Sequence, residues 1–121
     1  MRIWCAGLGI AVAASGAAAQ SSTVPADGGD ITITPLMHAS VQIEHAGLVI
    51  QVDPWSAADL SGAKPADLIL VTDDPGHHLD TEAIAQLRKA GAPVVLTAAA
   101  ARRFDGGTIM ANGERATVAG V

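Results

Sequence analysis

Residues 71–80 read VTDDPGHHLD. Asp73, Asp74, His77 and His78 bring carboxylate oxygens and imidazole nitrogens together, the donors that zinc, iron or manganese accept. The stretch follows an apolar run, Ala66-Asp67-Leu68-Ile69-Leu70-Val71-Thr72, and precedes a helix-like segment. A loop between the C-terminal end of an internal strand and a helix is a preferred place for a site. Neighbouring histidines on a turn point in different directions, so His77 and His78 need not share one ion. On composition alone the stretch also fits a solvated turn whose carboxylates support the next helix. The residue types leave both readings open.

The elements that must position this loop are legible from periodicity. Ile31-Thr32-Ile33-Thr34 alternates apolar and polar, and Pro35 is expected to limit that strand. Val41-Gln42-Ile43-Glu44 alternates again, Ala46-Gly47 makes a turn, and Leu48 to Val52 forms a third strand ending at Asp53-Pro54-Trp55. Three short strands with tight connections predict an antiparallel meander. The continuous apolar run at 66–72 is the pattern of a strand covered on both faces. Asp80 can cap a helix carrying Ala83, Ile84 and Leu87 on one side, with Gly91 expected just past its end and Pro93 preventing continuation. Val94-Val95-Leu96 is the next strand, and Thr97 can cap a short alanine-rich helix to about Phe104. Asn112-Gly113 predicts a hairpin between 108–110 and 116–118. The order is a meander followed by β-loop-α-β-α-β, a mixed α/β arrangement with helices on one face of a sheet.

Composition narrows the function classes. The chain has 121 residues, enough for one small domain. Met1-Arg2, the apolar run Ile3–Ala14 and Ala17-Ala18-Ala19 before Gln20 predict a signal peptide over residues 1–19, with a periplasmic or secreted product. Residues 20–30, rich in Ser, Pro, Gly and Asp, read as a flexible lead-in, and residues 31–121 as the folded part. Cys5 belongs to the apolar run. Seven basic residues less Arg2 leave six against twelve acidic ones, a net charge of −6 after cleavage. That balance argues against nucleic acid and anionic membrane surfaces as partners. With its single cysteine inside the leader, the mature chain has no disulfide. No phosphate-cradling glycine motif and no nucleophile elbow occurs, so no nucleotide cofactor is expected, and Ser40 with His38 is too little for a serine hydrolase. His45, at a hairpin turn, is expected to be solvent-exposed.

Three markers now combine: His38-Ala39-Ser40 before an Ile-Glu-His strand, Asp53-Pro54-Trp55 after the third strand, and Thr72 followed by the ligand-rich loop. Together they resemble the metallo-β-lactamase fold, in the branch typified by L-ascorbate-6-phosphate lactonase. The resemblance covers most of residues 31–121 and implies the first half of an αββα sandwich. That family's metal loop reads His-x-His-x-Asp-His. On this chain Asp73, Pro75, His77 and His78 fall at its four ligand positions, and only His78 keeps the family's residue. Pro75 has no donor atom, and His77 puts a neutral imidazole where the family has an anionic ligand that orients water.

The resemblance implies zinc or another divalent metal held by Asp73, His77 and His78, with Asp74 a weaker candidate and His77 a candidate catalytic group. It places His38 and Asp53 near the site mouth, touching substrate or holding ligands in place. Without the resemblance, His38 reads as a strand-end histidine and Asp53 as a simple Asp-Pro turn. The family draws further ligands from its second half, and the chain is expected to be an incomplete one. The functional expectation is therefore a small-molecule hydrolase with impaired or absent catalysis. The alternative is a non-catalytic binding or interaction module on the same fold. Half a sandwich also leaves parts of 48–52 and 68–71 on an apolar sheet face. A partner chain, or self-association, is expected to cover it.

Overall fold

The computed structural model describes residues 20–121, so the leader expected over 1–19 lies outside the described residues. Seven strands form one sheet whose spatial order is the chain order. They are β1 (Ser22–Val24), β2 (Ile31–Met37), β3 (Ser40–His45), β4 (Leu48–Val52), β5 (Leu68–Val71), β6 (Val94–Leu96) and β7 (Thr108–Ile109). Among the described residues one α-helix, α1 (Thr81–Leu87), lies between β5 and β6, and a single 3-10 turn, Ala100–Arg102, follows β6. No helix among the described residues is long and apolar enough to cross a membrane.

The expected meander is present as β2–β3–β4, all antiparallel. Within the stretch expected as a lead-in, Ser22–Val24 pairs with β2 and forms an exposed edge strand. Pro35 does not end β2. The strand runs through it to Met37, with a register shift between Pro35 and Met37. Pro35 is tolerated because β1 pairs only with residues 31–33, which leaves β2 as an edge on that side.

From β4 onward the sheet is parallel: β4 with β5, β5 with β6, and β6 with β7. This parallel pairing replaces the expected 108–118 hairpin. Thr108 and Ile109 pair with Val95 and Leu96, and residues 116–118 form no strand.

Asp80 caps α1, its carboxylate accepting the N–H groups of Glu82 and Ala83 at 3.0 and 3.2 Å. The helix stops at Leu87, short of Gly91, because Arg88 turns extended and the chain bridges to Ala66, just ahead of β5. Ala66 N–H donates to the Leu87 carbonyl at 2.7 Å, and Lys89 N–H to the Ala66 carbonyl at 3.1 Å. The second helix expected after Thr97 is reduced to the 3-10 turn, with the Thr97 hydroxyl accepting Ala100 N–H.

Side chains alternate across the sheet, and the two faces differ. On the helix face Ile69, Val71, Val94 and Leu96 pack with Leu79, Ile84 and Ala100. Burying each large aliphatic there contributes about 1.5–3 kcal/mol. Towards β3 and β4 the same face turns polar. Buried Gln42 accepts the Gln51 amide at 2.7 Å and Lys64 N–H at 2.8 Å, which pins the 56–65 loop onto the sheet.

On the other face, register aligns Ile33, Ile43, Ile50 and Leu68 in one row across four strands. The next row holds Val41, Val52, Leu70 and Val95. All except Leu68 are only half-buried, and the helix packs on the opposite side. The run at 66–72 is expected to be covered on both faces; among the described residues Ile69 and Val71 are buried under the helix side, while on the other side Leu68 is buried and Leu70 half-buried.

Candidate functional site

Parallel pairing of β4 and β5 brings their C-terminal ends side by side, and this assembles the site. Asp53, the residue after β4, donates its N–H to the Leu70 carbonyl at 2.8 Å. Its carboxylate accepts Thr72 N–H at 2.7 Å, and the Thr72 hydroxyl donates to it at 2.5 Å. Its own carbonyl accepts the hydroxyl of buried Ser40 at 2.6 Å, so Ser40 serves as a brace. Asp53 is 1% exposed and sits in the left-handed region at φ +43°. Such a conformation costs a non-glycine residue about 1–3 kcal/mol, and the surrounding bonds hold it there.

His78 completes this cluster. The Pro75 carbonyl accepts the N–H groups of His78 and Leu79 at 2.8 and 2.9 Å, closing one tight turn. The turn carries the His78 ring back over the end of β5. Its Nδ1 lies 2.8 Å from Asp53 Oδ2 and 3.1 Å from Thr72 Oγ1. The Thr72 hydroxyl spends its proton on Asp53, so the hydrogen between His78 and the carboxylate belongs to Nδ1. Neutral His78 is thereby fixed with a lone pair on Nε2. A buried carboxylate behind an imidazole is the arrangement that orients a proton acceptor or a metal ligand.

Above this pair lies a group of rings. His38 occupies the two-residue connection between β2 and β3, left-handed at φ +51°. Its ring meets Trp55 edge-on at 5.2 Å and lies 6.3 Å from His77. Trp55 and His77 are 6.2 Å apart, and His77 tilts over His78 at 4.5 Å. The rim therefore joins three histidines and one indole from three separate loops.

The predicted residues are thus divided. His77, His78, His38 and Asp53 come together. Asp73 does not join them: its carboxylate turns back to accept Asp74 N–H at 2.9 Å. Asp74 supplies its carbonyl to Arg103. Asp80, beyond the loop, also accepts the N–H and hydroxyl of Ser56 at 2.9 and 2.6 Å, tying the loop after β4 to the start of α1. Burial raises the Asp80 carboxyl pKa, but these bonds and those from Ala83 and Glu82 outweigh it and hold the group below its usual range. His45, expected to be exposed, is half-buried at the far end of the sheet, 3.0 Å from the Asp27 carbonyl.

Sequence reasoning did not assign Thr72 and Trp55 to the site. Their position directly after two strand ends was the available signal.

The donor set does not make a metal centre from these residues alone. The Pro75 side chain offers no donor atom, Asp73 is engaged in its own loop, and the Asp53 carboxylate already accepts three hydrogen bonds from Thr72 and His78. Among the described residues no three His, Cys, Asp or Glu side chains gather as a ligand group. The metal loop of the resembling family is therefore not reproduced here.

Comparison with known proteins gives a consistent picture of the fold. No curated protein matches the chain. A solved structure from Parabacteroides distasonis, named a "putative metal-dependent hydrolase", is similar at 31% identity with a TM-score of 0.76. The match covers 82% of this chain and 46% of that one, so the chain spans less than half of its length. A family profile described as a beta-lactamase superfamily domain matches residues 32–121. With three-quarters of the chain inside that profile and the sheet and helix arrangement in agreement, the chain belongs to the beta-lactamase superfamily.

Proposed function

We propose that this chain carries one half of a small-molecule hydrolase site, and that its catalysis is impaired. The observation that carries the reading is the buried Asp53–His78 pair, 2.8 Å apart, at the C-terminal ends of two parallel strands. It leaves one imidazole nitrogen with its lone pair directed away from the carboxylate. That nitrogen can accept a proton from water, and the rings of His38, Trp55 and His77 gather beside the His78 ring. Preorganisation of one proton acceptor supports slow hydrolysis, because general-base assistance contributes typically 10²–10⁴-fold.

The likeness to the Parabacteroides protein supports placing the activity in the metal-dependent hydrolase class. A divalent ion, zinc first, is the cofactor we assign to the whole protein. The lactonase-like branch is the one we favour within the superfamily, on the markers at 38–40 and 53–55. The periplasm or the exterior is the location we propose from residues 1–19.

The test is metal analysis of the purified protein, together with hydrolysis of lactone, carboxylic-ester and phosphate-ester substrates. Metal well below stoichiometric and slow turnover that falls further in His78→Ala are the expected results. Tight stoichiometric zinc with fast turnover would refute impairment. Unchanged turnover in His78→Ala would refute the assigned base.

A second reading has its own observation. The rings of His38, Trp55 and His77 pack together, and among the described residues no three-ligand group gathers beneath them, which suits a binding module. Small-molecule binding that survives replacement of both His77 and His78 by Ala, with no metal dependence, would favour it.

A further inference from the structure

Asp80 divides its two carboxylate oxygens between two tasks. Oδ1 accepts the N–H groups of Glu82 and Ala83 and so caps α1. Oδ2 accepts the Ser56 N–H at 2.9 Å and the Ser56 hydroxyl at 2.6 Å. This second task reaches the loop after β4, 24 residues away in sequence. The ionised acceptor makes each bond stronger than its neutral counterpart.

Ser56 directly follows Trp55, so fixing the backbone of one constrains the other. On the far side of Trp55 stands Pro54, fully buried and with φ locked by its own ring. The Trp55 carbonyl accepts Ala58 N–H at 3.0 Å, closing a turn. Further along, Ala58 and Leu60 pack with Ala83 and Leu87 of α1, and Lys64 is bonded to Gln42 and Gln51. The body of the loop is therefore held to the fold by contacts other than Asp80. What Oδ2 adds is the place of the first residues, and the indole rides on them.

We propose that Asp80 is a positioning residue for the site: by holding Ser56 it sets the Trp55 indole against His38 and His77, and so shapes the ring wall beside His78 against which a substrate binds. The indole meets those two rings at 5.2 and 6.2 Å, both edge-on. Contacts of this kind are directional, and a small misplacement of a positioning group weakens productive binding. The consequence for substrate rests on the hydrolase reading above, whereas the placement of the indole does not.

Substitution separates the two tasks. Asp80→Ser keeps a good cap but is too short to reach Ser56. Ser56→Ala removes the hydroxyl and leaves the cap intact, and Ser56→Thr keeps a hydroxyl there. Nuclear Overhauser contacts from the Trp55 indole to the His38 and His77 rings are compared in each, the indole resonance being assigned by its loss in Trp55→Phe. The contacts should weaken or vanish in Asp80→Ser and Ser56→Ala and persist in Ser56→Thr. For hydrolysis of p-nitrophenyl acetate, KM should rise in the first two by on the order of three- to tenfold with kcat within about twofold, because the His78–Asp53 pair is untouched. Ring contacts that persist in both Asp80→Ser and Ser56→Ala overturn the proposal. So does a Ser56→Thr protein that behaves like Ser56→Ala, and so do lost contacts with KM unchanged. If Asp80→Ser fails to fold by circular dichroism, the comparison of Ser56→Ala with Ser56→Thr decides. Absence of turnover in the parent counts against the hydrolase reading alone, and the ring contacts then decide the positioning role.

Discussion

Replacing Asp53 by Asn tests the logic of the site most directly. Asn is nearly isosteric and tolerates the left-handed backbone about as well as Asp, so φ +43° should persist. The amide oxygen can still accept Thr72 N–H. The amide nitrogen then faces both the Thr72 hydroxyl and His78 Nδ1, where the carboxylate oxygen had accepted from both. Thr72 must turn its hydroxyl proton elsewhere. His78 must present a lone pair at Nδ1 and move its proton to Nε2.

Three bonds to a charged acceptor become three bonds between neutral groups. A hydrogen bond to an ion is worth about 1.5–3 kcal/mol net and a neutral one about 1, a difference near 1 kcal/mol for each contact. The three sum to about 3 kcal/mol, and relief from burying a charge offsets part of that. The variant should therefore unfold about 1–3 kcal/mol more easily. Urea titration measures the stability, and long-range ¹⁵N–¹H spectra of the imidazole at mildly alkaline pH read the tautomer. The expected outcome is Nδ1–H in the parent and Nε2–H in the variant, with any His78-dependent hydrolysis lost. A variant that keeps its proton on Nδ1 at unchanged stability would refute the assignment of Asp53 as the group that orients His78.

Other consequences can be checked with the same methods. Asp80→Ala removes the cap of α1 and the tie to Ser56, and should cost about 1–2 kcal/mol in urea unfolding; a change within error would mean that neither contact bears on stability. Ile84→Ala empties the centre of the helix–sheet core and should cost about 2–5 kcal/mol, with a loss below the cost of a surface change arguing against that packing. Gly107→Ala would place its Cβ against the side chain of Leu96, and an overpacked strand end should lose about 1–3 kcal/mol in the same titration.

The Lys89 ammonium beside Asp67 holds that carboxyl below its ordinary range, the Val49 N–H adds to this, and partial desolvation opposes both. A lowered folded value means that the stabilisation is present above the unfolded carboxyl value of about 3.9 and is lost as pH falls through the folded one. The stability gap between the parent and Asp67→Asn should therefore be widest near neutrality and close in acid. A gap independent of pH would remove Asp67 from the account.

Much of the scaffold is legible in the residues because its causes are local. Alternation at 41–44 and 48–52 reports a sheet with unlike faces, the apolar run at 68–71 reports a buried strand, and Asp80 announces a helix start through its own side chain. Misreadings arise where a distant strand competes with a local signal. Asn112-Gly113 is a strong turn dipeptide, yet Thr108 and Ile109 pair in parallel with Val95 and Leu96. Gly91 marks a helix end, but Ala66 captures the chain three residues earlier.

The same division holds for the site. The sequence by itself determined that VTDDPGHHLD stands between a strand and a helix and that Pro75 cannot ligate. Only the tertiary structure decided the partners. Asp53 and His78 are 25 residues apart in sequence, and they meet because parallel pairing of β4 with β5 aligns two strand ends. The turn closed by the Pro75 carbonyl then folds the imidazole onto the carboxylate, while Asp73, one residue past Thr72, turns back into its own loop. Residue type sets which atoms can donate or accept, whereas strand register sets which of them come within 3 Å of one another.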